Sequence, residues 1–192
     1  MAASARAVII YDGVCNVCNK GVQFLARNDP AGRVAYVALQ SKAAEPVLKA
    51  TGLKREDVHR KFALIEGRIG DVIEAGLNAG GEVKPPAGVP PTWASKSSEG
   101  VAQTPTGLRV HRASAAALRA AYWAHNGGGA AWLGAASAAG ELVPESLRDA
   151  IYGAIADSRY SVFGRTVACQ LPPAGLLERF VNKAELQGSA RA

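Results

Sequence analysis

Cys15 and Cys18 are the residues of this chain whose types and spacing point most directly to chemistry. A thiolate is the attacking group in disulfide exchange, and a helix N-terminus favours the thiolate because its backbone N–H groups are unpaired. An i, i+3 spacing at a helix start also brings two sulfurs within bonding distance. We therefore expect a redox-active dithiol without metal or organic cofactor, in which Cys15 attacks a partner disulfide and Cys18 resolves the mixed disulfide.

The segments around the two cysteines predict a strand, a turn and a helix that position them. Residues 8–11 (VIIY) have the pattern of a short buried strand, and residues 12–13 (DG) form a turn. From Cys15 onward apolar residues recur at helical spacing until Pro30, which cannot continue a helix. We expect solvent to reach Cys15 at the helix start, with Cys18 one turn further in and facing the sheet.

The following elements predict an α/β fold. A second strand at 34–39 completes a βαβ unit, whose two strands should be parallel. A second helix is predicted at 42–50 and a third strand at 62–65. A fourth strand at 108–111 precedes a helix with Ser114 as its N-cap.

Residues 67–106 separate the third and fourth predicted strands. They number 40, of which 12 are glycine or proline, whereas a hairpin needs only a few linking residues. This segment is predicted to be an insertion in the hairpin, partly disordered or laid over the surface.

The last third of the chain is predicted to be helical. Glycines at 127–129 break the pattern, and Pro144 then opens an amphipathic helix that should end before Ser158. Our predicted organisation is one domain at 1–125 and a helical extension of it at 126–192.

Residues 11–18 (YDGVCNVC) resemble the opening signature of the DCC-type thiol-disulfide oxidoreductases, a thioredoxin-like family named after an Asp and two Cys. In this chain those residues are Asp12, Cys15 and Cys18. Most of the chain outside 67–106 contributes further similar segments. They are Arg33–Ser41, Phe62–Glu66, Val110–Leu118, Arg148–Tyr152, Arg159–Tyr160, Phe163–Gly164 and Cys169–Pro172.

The resemblance implies a thioredoxin-like βαβ–ββα core, with the long insertion in its hairpin and a helical C-terminal extension. It implies an enzyme that exchanges disulfides with protein or small-thiol partners through a transient Cys15–Cys18 disulfide bond. Two features depart from thioredoxin itself. No proline stands between the cysteines, and none occurs at 57–61, where thioredoxins carry a cis-proline that docks the substrate backbone.

Several side chains have more than one interpretation. Asp12 either holds the turn or helix start by hydrogen bonding, or assists proton transfer at the dithiol. The basic residues at 59–61 are candidates to face the dithiol and stabilise a thiolate. Cys169 is either a recycling or regulatory thiol or a buried bystander. Tyr160 and Phe163 are predicted to be core aromatics.

Three alternatives to an enzyme remain open. Cys15 and Cys18 are also half of a zinc site, which Cys169 and one of three isolated histidines would complete. A second alternative is that both cysteines are buried and chemically inert. A third alternative is a structural or adaptor subunit that keeps the fold inside a larger assembly, an organellar RNA-containing one included.

Charge and composition indicate which partners and which cellular compartments to expect. The net charge of +6 comes from scattered basic residues, which favours a solvated surface over nucleic-acid binding. No segment reaches the roughly 20 apolar residues that a membrane span needs. An odd count of 3 cysteines favours a reducing intracellular compartment, with cytoplasm, mitochondrial matrix and plastid stroma all open.

Overall fold

The computed structural model describes residues 5–66, 70, 101–103 and 108–189. Within these residues, one sheet contains strands in the order β2-β1-β3-β5-β4. The strands are β1 (Ala7–Tyr11), β2 (Val34–Ala38), β3 (Ala63–Glu66), β4 (Val101–Gln103) and β5 (Arg109–Arg112).

Strand β1 is an inner strand of the sheet and an unbroken run of buried residues. It pairs in parallel with β2 and antiparallel with β3, and β3 pairs antiparallel with β5. All residues of β1 and β2 are buried, as expected for strands covered on both faces. The predicted α/β class and thioredoxin-like arrangement of a βαβ unit followed by a hairpin and helix are confirmed.

Helices follow the strands at the positions that the sequence pattern indicates, with some differences at their ends. The described helices are α1 (Asn16–Arg27), α2 (Ala44–Thr51), α3 (Arg55–Arg60), α4 (Ala113–Asn126), α5 (Ala131–Glu141), α6 (Glu145–Phe163), a 3-10 helix (Ala174–Arg179) and α7 (Lys183–Ser189). None of the helices in the described ranges is both long and apolar enough to cross a membrane.

Two apolar clusters cover the two faces of the sheet. One places Val47 and Val58, from α2 and α3, against alternate residues of the strands. The other places Val22 of α1 and Ala120 of α4 against the opposite face, together with Phe180 from the C-terminal region. This second face carries the helix that begins at the two cysteines.

The structure corrects three local predictions. Ser114 is not the N-cap of α4; that position belongs to Arg112, and Ser114 instead donates a hydrogen bond to Asp149 of α6. Residues 57–61 mostly belong to helix α3, which the sequence pattern did not predict. Helix α6 continues to Phe163 instead of ending before Ser158.

The predicted insertion contributes one strand to the sheet. Residues 101–103 form β4, which pairs antiparallel with β5 at the sheet edge. This part is ordered as an edge strand, and residues 67–69, 71–100 and 104–107 lie outside the described residues. The expected flexibility of 67–106 and the boundary between 125 and 126 therefore stay predictions.

Helix α6 places an apolar stripe in solvent. Leu147, Ile151 and Ile155, which the sequence pattern put on one apolar face, are 53%, 55% and 53% exposed. Ala156 and Arg159 of the same helix are buried, and Arg159 follows Ile155 by one turn. The buried side of α6 is therefore not its most apolar side.

Glu66 is a buried carboxylate at the end of β3. It accepts hydrogen bonds from Arg119 and Trp123 of α4, and its other oxygen lies 3.0 Å from His111 Nε2. Burial alone raises the pKa of Glu66, but the hydrogen bonds outweigh burial and lower the pKa from 4.5 to about 2. This carboxylate therefore anchors α4 to the hairpin in its charged form.

We expect Glu66 to make the protein less stable in acid. Because its pKa is lower in the folded protein, its contribution is complete above about pH 4.5 and is lost as the pH falls toward about 2. The contribution at neutral pH is on the order of 3 kcal/mol. In Glu66→Gln, the free energy of unfolding in urea should be lower at pH 7 and should fall less between pH 5 and pH 2. Glu178→Gln, at an exposed ion pair with Lys183, is the matched control; equal pH profiles for all three proteins would contradict the assignment.

Candidate active site

The turn between β1 and α1 carries the dithiol. The Gly13 backbone N–H donates to Gln40 Oε1 at 2.9 Å, and a Cβ at position 13 would lie 2.7 Å from Cys169 Sγ. Only glycine fits this close approach without displacing its neighbours. The turn-forming pair that the sequence indicated is thus fixed by packing from two distant segments.

Cys15 is the N-cap of α1, as predicted. Its backbone is extended, and its Sγ accepts the Cys18 backbone N–H at 3.3 Å, in the way a serine hydroxyl caps a helix. Asn19 Nδ2 donates to the carbonyl oxygens of Gly13 and Cys15 at 2.7 and 2.8 Å. These bonds fix the relation between turn and helix. The sequence interpretation missed Asn19, although its position four residues after Cys15 on a buried stripe marked it.

The exposure of the two cysteines is the reverse of the prediction. Cys15 is 0% exposed, whereas Cys18 is partly exposed and lines a cleft. Both are free thiols in this structure, as is Cys169. The physical reason is the path of the chain after α6.

That path forms what we call the C-terminal strap, residues 164–170. The strap forms an antiparallel bridge between Arg165 and Cys15, and the Thr166 backbone N–H donates to the Val14 carbonyl at 2.8 Å. At its far end the Gln170 backbone N–H donates to the Gly13 carbonyl at 3.3 Å. The strap therefore runs beside the turn on the side where we expected solvent to reach Cys15.

Cys169 lies on the strap and is half-buried. Its Sγ lies 3.7 Å from Gln40 Oε1 and packs against Gly13. Burial raises its pKa first, and the negative charges of Asp12 and Glu185 raise it further. The structure thus brings Cys169 into contact with Gly13, which precedes Cys15 by two residues in the turn.

Asp12 is buried and receives hydrogen bonds from separate parts of the chain. Its Oδ1 accepts from the Val14 backbone N–H at 3.2 Å and from Gln40 Nε2 at 2.8 Å. Its Oδ2 accepts from the Tyr160 hydroxyl and lies 3.7 Å from a guanidinium nitrogen of Arg159. The hydrogen-bonding interpretation of Asp12 is confirmed for the turn, whereas the helix cap is provided by Cys15.

Residues of α3 and α6 complete the surroundings of Asp12. His59 Nε2 lies 3.0 Å from the Tyr160 hydroxyl and 3.9 Å from Asp12 Oδ2. Among the predicted basic residues at 59–61, His59 therefore reaches the Asp12 network. Tyr160 is a member of that network and Phe163 is 47% exposed, so the prediction that both are core aromatics is wrong.

Cys18 lies on the wall of a cleft between α1, α3, α4 and α6, which we call the Cys18 cleft. Its volume is about 340 Å³. The polar residues on its wall are Asp12, Cys18, His59, Arg60, Tyr152 and Arg159. The remaining wall is aliphatic and aromatic, and includes Val17, Val22, Leu25, Val58, Phe62 and Ile155.

The environment of Cys18 keeps its proton in place at neutral pH. Burial is the largest cause that raises the pKa of the Cys18 thiol, followed by a hydrogen bond to the Cys15 side chain. The charge of Asp12 raises the pKa of Cys18 further and that of Arg159 lowers it.

A zinc site would require further ligands close to the dithiol. Within the described part of the chain, no group of three or more His, Cys, Asp or Glu side chains is placed to hold a metal ion.

Comparisons with known proteins give the same resemblance. Residues 9–96 match the family model described as DCC1-like thiol-disulfide oxidoreductase. The uncharacterized protein YuxK of Bacillus subtilis is 25% identical over 174 residues, which cover 91% of this chain and 93% of YuxK. The chloroplastic DCC family protein At1g52590 of Arabidopsis thaliana is 38% identical over 53 residues, 28% of this chain and 31% of that protein.

No solved structure gives a significant match to this chain. The matched residues 9–96 contain the turn, both cysteines of the dithiol and His59, and the alignment with YuxK extends over most of the remaining chain. The resemblance that the sequence indicated is confirmed: residues 9–96 match the family model of the DCC1-like thiol-disulfide oxidoreductases.

Proposed function

We propose that this protein is an enzyme that exchanges disulfides with protein or small-thiol partners through Cys15 and Cys18. The observation that carries the proposal is the position of the two cysteines one turn apart at the start of α1. The Cys15 sulfur accepts the Cys18 backbone N–H at 3.3 Å. An i, i+3 spacing at a helix start brings two sulfurs within bonding distance, so that the pair is able to form and open a disulfide.

The surroundings support a division of work between the two sulfurs. In the mixed disulfide, one cysteine sulfur of the pair is bonded to the partner. The other cysteine then attacks that bonded sulfur and releases the partner. The Cys15 sulfur lies at the N-terminus of α1, where hydrogen bonds stabilise charge on a sulfur as it leaves. Cys18 lies deeper along the helix but opens to the cleft.

Asp12 and Cys169 are proposed as auxiliary residues. The Asp12 carboxylate holds the turn and, with Arg159, sets the charge around Cys18. Cys169 is a thiol beside the same turn, and its position supports a role in recycling or regulating the dithiol. Neither residue needs to bond to the substrate for these roles.

The compartment is proposed from the chemistry and from one relative. A dithiol that works in the reduced form requires a reducing compartment. The name of the Arabidopsis relative places that protein in the chloroplast. We propose a reducing intracellular compartment, with the plastid stroma as the first one to test.

An adaptor role is the second candidate, and one observation favours it. The exposed stripe of α6, Leu147, Ile151 and Ile155, is the kind of surface that a partner protein covers. Replacing both cysteines by serine separates the two candidates. An adaptor keeps its association with a large complex after this change, whereas an enzyme loses its turnover.

Loss of either cysteine of the pair should abolish catalysis. We expect Cys15→Ser and Cys18→Ser each to lower the rate of insulin disulfide reduction by about 100-fold or more, because neither variant forms the intramolecular disulfide. Cys169→Ser removes a thiol outside the pair and is the matched comparison, expected to keep the first turnover. Turnover of Cys18→Ser within about threefold of the wild type would contradict the mechanism.

Removal of the Asp12 charge should make Cys18 react at lower pH. The carboxylate raises the pKa of Cys18, so Asp12→Asn should shift the pH midpoint of its alkylation by iodoacetamide downward. The measurement is made with Cys15→Ser and Cys169→Ser in the background, so that a single thiol reacts. Asp157→Asn changes the net charge equally at an exposed position of α6 and should leave the midpoint unchanged. An unshifted midpoint in a folded Asp12→Asn protein would refute the effect.

A further inference from the structure

We propose that the C-terminal strap occupies the place of the substrate, and that the partner is an extended segment of a disulfide-bonded protein, which displaces the strap to reach Cys15. The surface in question is the backbone of residues 13–16, from the turn to the first residue of α1, which we call the turn edge. This inference depends on the proposed function and adds to it the kind of partner and an autoinhibitory contact.

Backbone atoms on both sides hold the strap on the turn edge. The Thr166 N–H donates to the Val14 carbonyl at 2.8 Å, and the Asn16 N–H donates to the Gly164 carbonyl at 3.4 Å. Two such bonds between antiparallel segments are the contacts that a peptide makes when it adds a strand to an exposed edge. Because neither bond uses a side chain, an extended segment of another protein offers the same donor and acceptor.

Arg165 of the strap lies directly opposite Cys15 in the antiparallel bridge. The two backbone bonds flank this pair instead of joining it, which is the arrangement in which opposite side chains come closest. The strap therefore covers the side chain of Cys15, which is 0% exposed. A half-cystine in the place of Arg165 would bring its sulfur beside the Cys15 sulfur, at the helix N-cap that favours a thiolate as the attacking group.

The middle of the strap has little apolar contact to hold it in place. Arg165, Val167 and Ala168 are exposed, and Val167 is 105% exposed. Segments with few buried apolar contacts open at a low cost in free energy. Gly164 joins the strap to α6 with φ 73° and ψ 177°, a conformation that glycine adopts readily. Rotation at Gly164 is therefore able to lift the strap while α6 stays folded.

The strap and a substrate segment compete for the same edge. A partner binds only to those molecules whose strap is open, so its apparent affinity is reduced by the open fraction. A small disulfide without a peptide backbone forms none of the bonds that the strap gives up. The turn edge therefore favours an extended protein segment over a small thiol compound as the partner.

The first test measures access to Cys15. With Cys18→Ser and Cys169→Ser in the background, Cys15 is the single thiol that iodoacetamide can alkylate. Thr166→Pro removes the donor of the 2.8 Å bond and should raise the alkylation rate about fivefold or more. Ala168→Pro places the same ring at an exposed strap position whose N–H has no hydrogen-bond partner among the described residues, and should change the rate by less than about twofold. An unchanged rate in Thr166→Pro would overturn the inference.

The second test measures competition for the turn edge and keeps all three cysteines of the protein. The probe is a synthetic peptide of residues 164–170 that carries Cys169→Ser, so that it has the backbone of the strap and no thiol. It should inhibit insulin reduction competitively, with an inhibition constant about fivefold or more lower for Thr166→Pro than for the wild type. The same peptide with Thr166→Pro added lacks the donor to Val14 and should inhibit about fivefold or more weakly.

The kinetics of insulin reduction separate the inference from the proposed function. Thr166→Pro should lower the KM for insulin about fivefold or more and keep kcat within about twofold of the wild type, because it changes the open fraction and not the dithiol. Insulin reduction that the peptide inhibits equally in both proteins, or in neither, would overturn the inference and leave dithiol exchange intact. A wild type and a Thr166→Pro protein that both fail to reduce insulin would instead refute the proposed function itself.

Discussion

The carboxylate of Asp12 is the interaction on which the geometry of the dithiol depends. A buried carboxylate is stable only when hydrogen bonds or a cation replace its water. Asp12 obtains these partners from the turn, from Gln40 after β2, and from Tyr160 and Arg159 of α6. Because those partners come from three separate parts of the chain, the turn that carries Cys15 is held in place only when all three are assembled.

The same assembly places the dithiol between two different surroundings. On one side the C-terminal strap bridges Cys15 and continues to Cys169, which packs on Gly13. On the other side Cys18 opens to the cleft beneath α6. In thioredoxins a cis-proline loop docks the substrate backbone; here residues 57–60 belong to helix α3, and His59 contributes to the Asp12 network.

The local pattern of the sequence was sufficient for much of the fold. Strand β1, the turn at Asp12, the cap at Cys15 and the helix that follows are encoded in adjacent residues, so periodicity and turn chemistry could predict them. The parallel pairing of β1 and β2 followed from the βαβ unit. Short-range rules gave no account of Ser114, whose hydroxyl bonds to a residue 35 positions later instead of capping its own helix.

The exposure of the two cysteines was beyond prediction for the same reason. Whether solvent reaches Cys15 depends on the strap, which follows it by about 150 residues and bridges to it through backbone hydrogen bonds. The prediction that Tyr160 belongs to the core rests on the usual burial of large aromatic side chains. Its hydroxyl instead reaches Asp12, a contact with a sequence separation of 148 residues.

These distances in sequence make the C-terminal extension a part of the site. The family model matches residues 9–96, which hold the dithiol and Asp12, but Arg159, Tyr160 and the strap lie beyond it. The two charges that act most directly on Cys18 in opposite directions, Asp12 and Arg159, come one from each region. A change in α6 that moves Arg159 therefore alters the thiol of Cys18 as directly as a change beside it does. The surroundings of this dithiol are therefore shared between the turn after β1 and helix α6, which is packed over it.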